Sequence, residues 1–264
     1  DMLARRPQIM DGLIDPRFFG AMPDRRELSA RLAATLKDAD SYEEFLDRLR
    51  LFGQESLFLI GTRILSGTVS ARQAGIAFAD VAEGIVDTVH GLVKDQFAAQ
   101  YGRIAGQETA ILAMGKLGSR EMTASSDLDL ILLYDFDPER PDSDGARPLH
   151  GAQYFARFTQ RLISAFTTRT NYGVLYDVDM RLRPSGRAGP VASHIDSFAD
   201  YQDNEAWTWE RMALTRAQVI SSSPEFRARI ERVIRDVLTR PRDAGLTANY
   251  VAEMRRATAL EKGE

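Results

Sequence analysis

The sequence predicts an α+β protein, in which a small mixed sheet with flanking helices lies between largely helical N- and C-terminal parts. Short apolar runs of strand-forming residues occur in the middle of the chain. Longer segments with helical periodicity stand on both sides of them. Pro- and Gly-containing loops mark the junctions. We expect three regions: a helical subdomain over 1–105, a central core over 106–195 and a helical segment over 196–264.

Composition narrows the class of protein. The chain has 264 residues, 44% of them hydrophobic, and a net charge of −4, which argues against a dedicated nucleic-acid or anionic-membrane binder. The absence of cysteine excludes disulfides and zinc–thiolate sites and fits a cytoplasmic protein. No apolar run approaches the roughly 20 residues of a spanning helix. Because the chain begins at Asp1 and stops in a helix-like stretch, we expect a fragment of a longer polypeptide.

The N-terminal region is predicted to be helical after an irregular segment over 1–24 that contains several prolines. Ser41 and Glu44 have the spacing of a capping box, which predicts a helix start. His90 lies in a predicted helix, where a lone histidine is usually a packing or surface residue. The helices predicted here span residues 25–37, 41–51 with periodicity continuing to 65, and 74–97.

The first strand candidate, Ala110–Met114, runs into the glycine-containing turn Gly115–Ser119, with a short helix expected over 119–122. The order of residues differs from that of a Walker A loop. Exposed backbone N–H groups at such a turn can bind phosphate oxygens, although an ordinary strand-to-helix turn also fits.

The second strand candidate, Leu130–Tyr134, follows Asp127 and Asp129. Residues i and i+2 of a strand point to the same face, about 6.5 Å apart, so these two carboxylates should project together. They would repel each other unless a cation or proton lay between them, and oxygen ligands favour Mg²⁺. The alternative is that Asp127 caps a turn and Asp129 is a solvated edge residue.

The third strand candidate, Gly173–Arg183, alternates and carries Asp179 close to Arg181. The alternative for these two side chains is a simple ion pair. Helices are predicted over 151–168, 197–202, 207–220, 224–238 and 249–260. Tyr201, Trp207 and Trp209 are interpreted as packing residues rather than a base-stacking platform.

Three aspartates on predicted strands and a preceding Gly-Ser turn form a group of candidate site residues rather than a single isolated motif. Convergent carboxylates with a phosphate-binding turn are typical of two-metal phosphoryl or nucleotidyl transfer, in which paired ions activate a hydroxyl and stabilise the leaving oxyanion. Lysine, arginine and backbone N–H groups supply positioning and charge neutralisation.

Two short motifs, Leu117-Gly118-Ser119 and Asp127-Leu128-Asp129-Leu130, resemble the hallmark of the DNA polymerase β-like nucleotidyltransferase superfamily. The longer strings resemble the glutamine synthetase adenylyltransferase family, closely over about residues 110–220. That family more often has a second glycine where this chain has Ser119. The strings that carry the resemblance are 114–121, 125–130 and 178–186.

Members of that family carry two such domains, one adenylyl-transferring and one adenylyl-removing. The strings 176–179, 183–186 and 204–210 are more similar to the C-terminal, transferring domain. The removing domain more often has an aromatic residue before the glycine of the Arg-Pro-x-Gly segment, where this chain has Ser185.

The resemblance implies a mechanism for the core over 106–195, a nucleotidyltransferase catalytic core. ATP would bind with two Mg²⁺, and a tyrosine hydroxyl of glutamine synthetase would attack the α-phosphate and release pyrophosphate. Asp127 and Asp129 would hold both metals, while Asp179 would hold the catalytic one and help activate the nucleophile.

The resemblance also implies phosphate contacts and regulation. The triphosphate would lie over Gly118 and Ser119, helped by Ser126. Second-tier candidates for neutralising phosphate charge are Lys116, Arg181 and Arg183, and Arg183 could equally brace its loop. A nitrogen-regulatory signal protein and glutamine would set the direction of the reaction.

Three rival functions remain at this stage. The removing reaction, in which phosphate attacks adenylylated tyrosine and releases ADP, uses the same carboxylates. A catalytically silent module that docks glutamine synthetase is disfavoured by three intact aspartates. A polymerase or RNA-tailing enzyme shares the superfamily hallmark but is disfavoured by the acidic balance.

Overall fold

A computed structural model describes residues 22–241, 245, 247–252 and 255–256. The α+β prediction is confirmed, with a five-stranded mixed sheet and flanking helices. The helices are α1 (Arg25–Leu36), α2 (Tyr42–Leu65), α3 (Ala71–Tyr101), α4 (Gly115–Gly118), α5 (Gly151–Thr167), α6 (Ile195–Asn204), α7 (Thr208–Ala213) and α8 (Pro224–Thr239). The strands are β1 (Glu108–Ala113), β2 (Leu128–Asp135), β3 (Val178–Asp179), β4 (Ser193–His194) and β5 (Gln218–Ser221). Two 3₁₀ turns span Gly186–Ala188 and Leu214–Arg216.

The contacts group the chain into two compact units. The first unit, which we call the helical unit, contains the described residues up to Lys94, together with Arg120–Leu128 and Arg161–Val178. The second, the sheet unit, contains Asp95–Ser119, Asp129–Gln160 and the described residues from Asp179 onward.

Side-chain caps start the first helices of the helical unit. The side chain of Asp24 accepts from the N–H of Glu27, and that of Ser41 accepts from the N–H of Glu44, as the Ser41 cap predicts. His90 on α3 is only 4% exposed, so it is a packing residue. The remaining buried side chains of α1, α2 and α3 are mainly apolar and include Leu32, Leu46, Leu49, Phe52, Phe78, Ile85 and Val89.

The sheet has the order β3-β2-β1-β5, with β4 paired to β2 in parallel. Strands β1 and β2 are antiparallel, with Ala110 opposite Leu133 and Leu112 opposite Ile131. These four apolar side chains face one core, whose helical side comes from α6 and α8. The other buried members of this core are Met114, Ile195, Phe198, Leu214, Val219, Phe226, Ile230 and Val237.

The sequence misplaced three elements. The helix predicted over 207–220 is two helical pieces followed by β5, because Val219 and Ile220 are buried in a strand antiparallel to β1. The strand predicted over 173–183 is reduced to β3, since Arg183 N–H turns back to the carbonyl of Met180. The helix expected over 119–122 lies one turn earlier, as α4, and the left-handed φ of Arg120 follows it.

The packing role expected for the two tryptophans was wrong. Trp207 is 67% exposed and Trp209 43% exposed. Trp207 is the N-cap of the short helix α7, and Trp209 is its second residue. The start of this helix is fixed by Glu210 rather than by the indoles, since the N–H of Trp207 donates to the Glu210 carboxylate at 2.8 Å. The irregular start predicted over 1–24 lies mostly outside the described residues, as does part of the last helix, which is helical over 247–252.

Candidate functional site

The three predicted aspartates lie together. One carboxylate oxygen from each of Asp127, Asp129 and Asp179 lies within 4.8 Å of the others. Strand pairing produces this arrangement, because β3 is next to β2 and the N–H of Leu128 donates to the carbonyl of Asp177 at 2.9 Å. Asp127 is exposed, and the other two aspartates are half-buried.

Asp129 is held against the glycine turn that follows β1. Its carbonyl accepts from the N–H of Met114 at 2.8 Å. Gly115 has a left-handed φ of +53°, and a Cβ at this position would lie 2.0 Å from the Oδ2 of Asp129. Gly115 therefore makes room for the carboxylate. Sequence reasoning missed this role, although a glycine directly after a strand was a usable signal.

Asp179 is held by Arg181. The backbone N–H of Arg181 donates to Asp179 Oδ1 at 2.8 Å, and its Nε donates to Oδ2 at 2.6 Å. These hydrogen bonds hold the pKa of Asp179 below its usual range, and the charge of Arg187 adds to the effect. The ion pair that the sequence left open is therefore present, and it keeps Asp179 ionised at neutral pH. Arg187 was not singled out from the sequence.

Arg183 braces the loop after β3. Its guanidinium donates to the carbonyls of Met180 at 2.7 Å, Pro190 at 2.9 Å and Gly189 at 3.4 Å. Ser185 within this loop has a left-handed φ of +58°, so the hydrogen bonds stabilise an uncommon backbone conformation. The guanidinium of Arg183 is thus engaged with backbone carbonyls, whereas Arg181 has a 64% exposed side chain.

The turn residues predicted to contact phosphate, Gly118 and Ser119, use their backbone N–H groups for hydrogen bonds within the turn. The N–H of Gly118 donates to Met114 at 2.9 Å, and that of Ser119 donates to Gly115 at 3.2 Å. A Cβ on Gly118 would lie 1.9 Å from the carbonyl oxygen of Arg216, so this glycine permits close packing. Lys116 is exposed and has no ion pair within the described part of the chain.

Ser126 shapes the turn before Asp127. Its side-chain oxygen accepts from the N–H of Thr123 at 2.9 Å and lies 2.9 Å from the Thr123 hydroxyl. The side chain is 8% exposed, so its hydroxyl is committed to this turn.

The chemistry of the carboxylates fits a hard divalent cation. Three carboxylates supply oxygen ligands only, which suits Mg²⁺ or Mn²⁺ better than softer metals. Mg²⁺ usually takes few protein carboxylates and fills its remaining positions with water or substrate phosphate, and an exposed Asp127 leaves such positions open.

Comparison with known proteins decides the family. The family of glutamate-ammonia ligase adenylyltransferase matches residues 1–233. The chain belongs to this family. The resemblance inferred from the strings around the three aspartates is thereby confirmed.

Three relatives carry the same name, bifunctional glutamine synthetase adenylyltransferase/adenylyl-removing enzyme. Those from Rhodopseudomonas palustris strain HaA2 and Bradyrhizobium sp. strain BTAi1 are 85% and 80% identical over 264 residues. That from Xanthobacter autotrophicus is 58% identical over 265 residues. Each match covers 100% of this chain and 27% of the relative, so the chain spans about a quarter of the length of these proteins. None of the described helices is both long and apolar enough to span a bilayer.

Proposed function

We propose that this chain transfers AMP from ATP to a tyrosine hydroxyl of glutamine synthetase and releases pyrophosphate. The proposal rests on the convergence of Asp127, Asp129 and Asp179, together with the names of the relatives. The transferring direction rests on the similarity of 176–179, 183–186 and 204–210 to the transferring domain.

The three aspartates would hold two Mg²⁺ ions. Bound there, the ions would activate the attacking hydroxyl and stabilise the charge that develops on pyrophosphate. Gly115 lets the carboxylate of Asp129 lie at the end of β1, and Arg181 keeps Asp179 ionised. The new bond joins the tyrosine oxygen to the α-phosphorus, and the bond that breaks joins the α-phosphorus to the oxygen bridging to the β-phosphate.

Positive charge for the triphosphate would come from Lys116 and Arg181, whose side chains are exposed. Gly118, Ser119 and Ser126 would position the phosphates mainly by shaping their turns, because their hydrogen-bonding groups already serve the turns. Arg183 would act through the loop it braces.

The core over 106–195 would be the catalytic one, between helical regions over 1–105 and 196–264. A nitrogen-regulatory signal protein and glutamine would control the direction of the reaction. We propose a cytoplasmic location, which the absence of cysteine fits, without a role for nucleic acid or membrane.

The test is to incubate the 264-residue chain with α-labelled ATP, Mg²⁺ and unmodified glutamine synthetase. We expect label on tyrosine and release of pyrophosphate. Asp129→Asn should abolish turnover with an unchanged circular dichroism spectrum, because it removes a metal ligand. Asp95→Asn is the matched control, since that carboxylate is 80% exposed and lies outside the cluster. Full activity of Asp129→Asn would refute the two-metal assignment.

The second candidate is the removing reaction, which the relatives' names also include. In that reaction, phosphate attacks adenylylated tyrosine and ADP leaves. Absence of labelling, with phosphate-dependent ADP release from adenylylated glutamine synthetase, would identify this chain as the removing domain. If neither transfer nor removal is detected, catalysis by this chain alone is refuted. That result would favour a docking module or an enzyme that depends on the rest of the polypeptide.

A further inference from the structure

The three aspartates differ in what holds them. Asp129 lies against the backbone of Gly115, and Asp179 accepts hydrogen bonds from Arg181. Within the described residues, by contrast, the carboxylate of Asp127 has neither a hydrogen bond nor an ion pair. The position of Asp127 is therefore set by the backbone on its two sides, namely Leu128, which pairs with Asp177, and the segment that leads to Asp127, Arg120–Ser126.

This segment is anchored on α3 within the helical unit. Arg120 Nη2 donates to the carboxylate of Asp80 at 2.5 Å, and its Nε lies 4.0 Å from the Oε1 of Glu83. The Glu83 side chain is fully buried and also accepts from Arg25. A buried carboxylate beside two guanidinium groups attracts both of them, and this attraction fixes their geometry.

Two further features show that the anchoring is tight. Arg120 has a φ of +59°, a conformation that non-glycine residues adopt rarely and keep only when their surroundings hold them. On α3, a Cβ on Gly75 would lie 3.4 Å from both the carbonyl oxygen of Arg120 and the Cα of Glu121. The segment therefore lies directly on the helix backbone. Met122, which follows, is buried, so the segment is held by charge at one end and by apolar packing beyond it.

We infer that Arg120, through its ion pairs with Asp80 and Glu83, is a positioning residue that sets the location of the Asp127 carboxylate and thereby the affinity of the site for divalent cations. This inference rests on the proposed function, in which Asp127 is a metal ligand. Residues that orient metal ligands typically change metal affinity by about 10- to 100-fold when they are replaced. The sequence offers no hint of this role, since Arg120 and Asp80 are 40 positions apart.

The test measures binding of Mn²⁺ to the 264-residue chain by electron paramagnetic resonance, without ATP or glutamine synthetase. Arg120→Gln should weaken Mn²⁺ binding about tenfold or more. Arg120→Lys, which keeps one charge but loses the guanidinium fork, should restore part of the affinity. Asp80→Asn removes the partner instead and should weaken binding in the same direction, and it replaces Arg120→Gln should that variant fail to fold.

Arg48→Gln is the matched control. Arg48 lies in the same unit with a 28% exposed side chain, against 32% for Arg120, and it binds Glu44 and two carbonyl oxygens. We expect Arg48→Gln to lower the melting temperature without changing the Mn²⁺ affinity. If Arg120→Gln and Asp80→Asn lower the melting temperature as Arg48→Gln does and bind Mn²⁺ like the wild type, Arg120 is merely structural and the inference is overturned.

A separate control distinguishes this failure from failure of the proposed function. If the wild-type chain and Asp129→Asn bind Mn²⁺ equally, the aspartate cluster is not a metal site, and both the proposed function and the inference fail. If Asp129→Asn loses binding while Arg120→Gln retains it, only the inference fails.

Discussion

Replacing Gly115 with alanine is the most direct way to test how the fold positions Asp129. The new Cβ would lie 2.0 Å from Asp129 Oδ2, whereas real Cβ contacts below 3.0 Å are essentially never seen. To reach an ordinary contact of 3.4 Å, the carboxylate would have to move by about 1.4 Å. In addition, alanine at a φ of +53° is strained by about 1–2 kcal/mol.

These two effects can be separated with Gly67→Ala. Gly67 has a φ of +70°, and nothing lies within 4 Å of a Cβ placed there. Gly67→Ala should therefore show the backbone strain alone, a loss of about 1–2 kcal/mol, or roughly 2–8 °C in melting temperature for a chain of this size. Gly115→Ala should show at least the same loss together with a displaced metal ligand.

The assay is initial-rate adenylyl transfer at saturating Mg²⁺, with thermal melts of both variants. A misplacement of about 1 Å at a reacting centre can lower the rate by about 100-fold, so we expect at least that loss for Gly115→Ala and little change for Gly67→Ala at a temperature where both are folded. Equal rates for the two variants would refute the reasoning, because the carboxylate would then tolerate the displacement.

Two further predictions concern stability. Burial lowers the pKa of His90 to about 4, so the folded state resists protonation of this side chain. The contribution of neutral His90 to the free energy of unfolding is therefore complete above pH 6.5 and is lost as the pH falls toward 4. Between pH 7 and pH 5 this amounts to about 2 kcal/mol, and urea unfolding of His90→Gln should show a pH dependence flatter by that amount. Trp207 is 67% exposed, so Trp207→Ala should change the free energy of unfolding by less than about 0.5 kcal/mol. Phe155 is fully buried, so Phe155→Ala should lower the free energy of unfolding by about 3–5 kcal/mol. A large loss for Trp207→Ala would contradict this prediction.

Local patterns predicted the parts of the fold that depend on near neighbours in sequence. The Ser41 cap, the long helices and the two central strands are each determined by propensity and periodicity within a few residues. Strand β5 was missed because its four residues follow a helical stretch and form a strand only by pairing with β1, more than 100 positions earlier. A single-sequence pattern contains no signal for such a partner.

The same distinction applies to the candidate site. The sequence predicted that Asp127 and Asp129 would project together and that Asp179 would accompany Arg181, since each relation spans two residues. The groups that hold them were missed where they act through space. Gly115 reaches Asp129 across the strand pair, and Arg120 reaches Asp80 over 40 positions. The local sequence thus indicated which carboxylates lie together, but it did not indicate the groups that hold them in place.

Three carboxylates with oxygens within 4.8 Å of one another repel, and the hydrogen bonds from Arg181 to Asp179 bring an opposing charge to one of them. Arg187 adds to the positive charge near Asp179, and a cation between the three carboxylates would relieve their remaining repulsion. A divalent ion held by Asp179 would share that carboxylate with Arg181 or displace the guanidinium, whose side chain is 64% exposed. Under the proposed function the displaced guanidinium would then be available to a phosphate oxygen of ATP, which joins metal binding and nucleotide binding through one side chain.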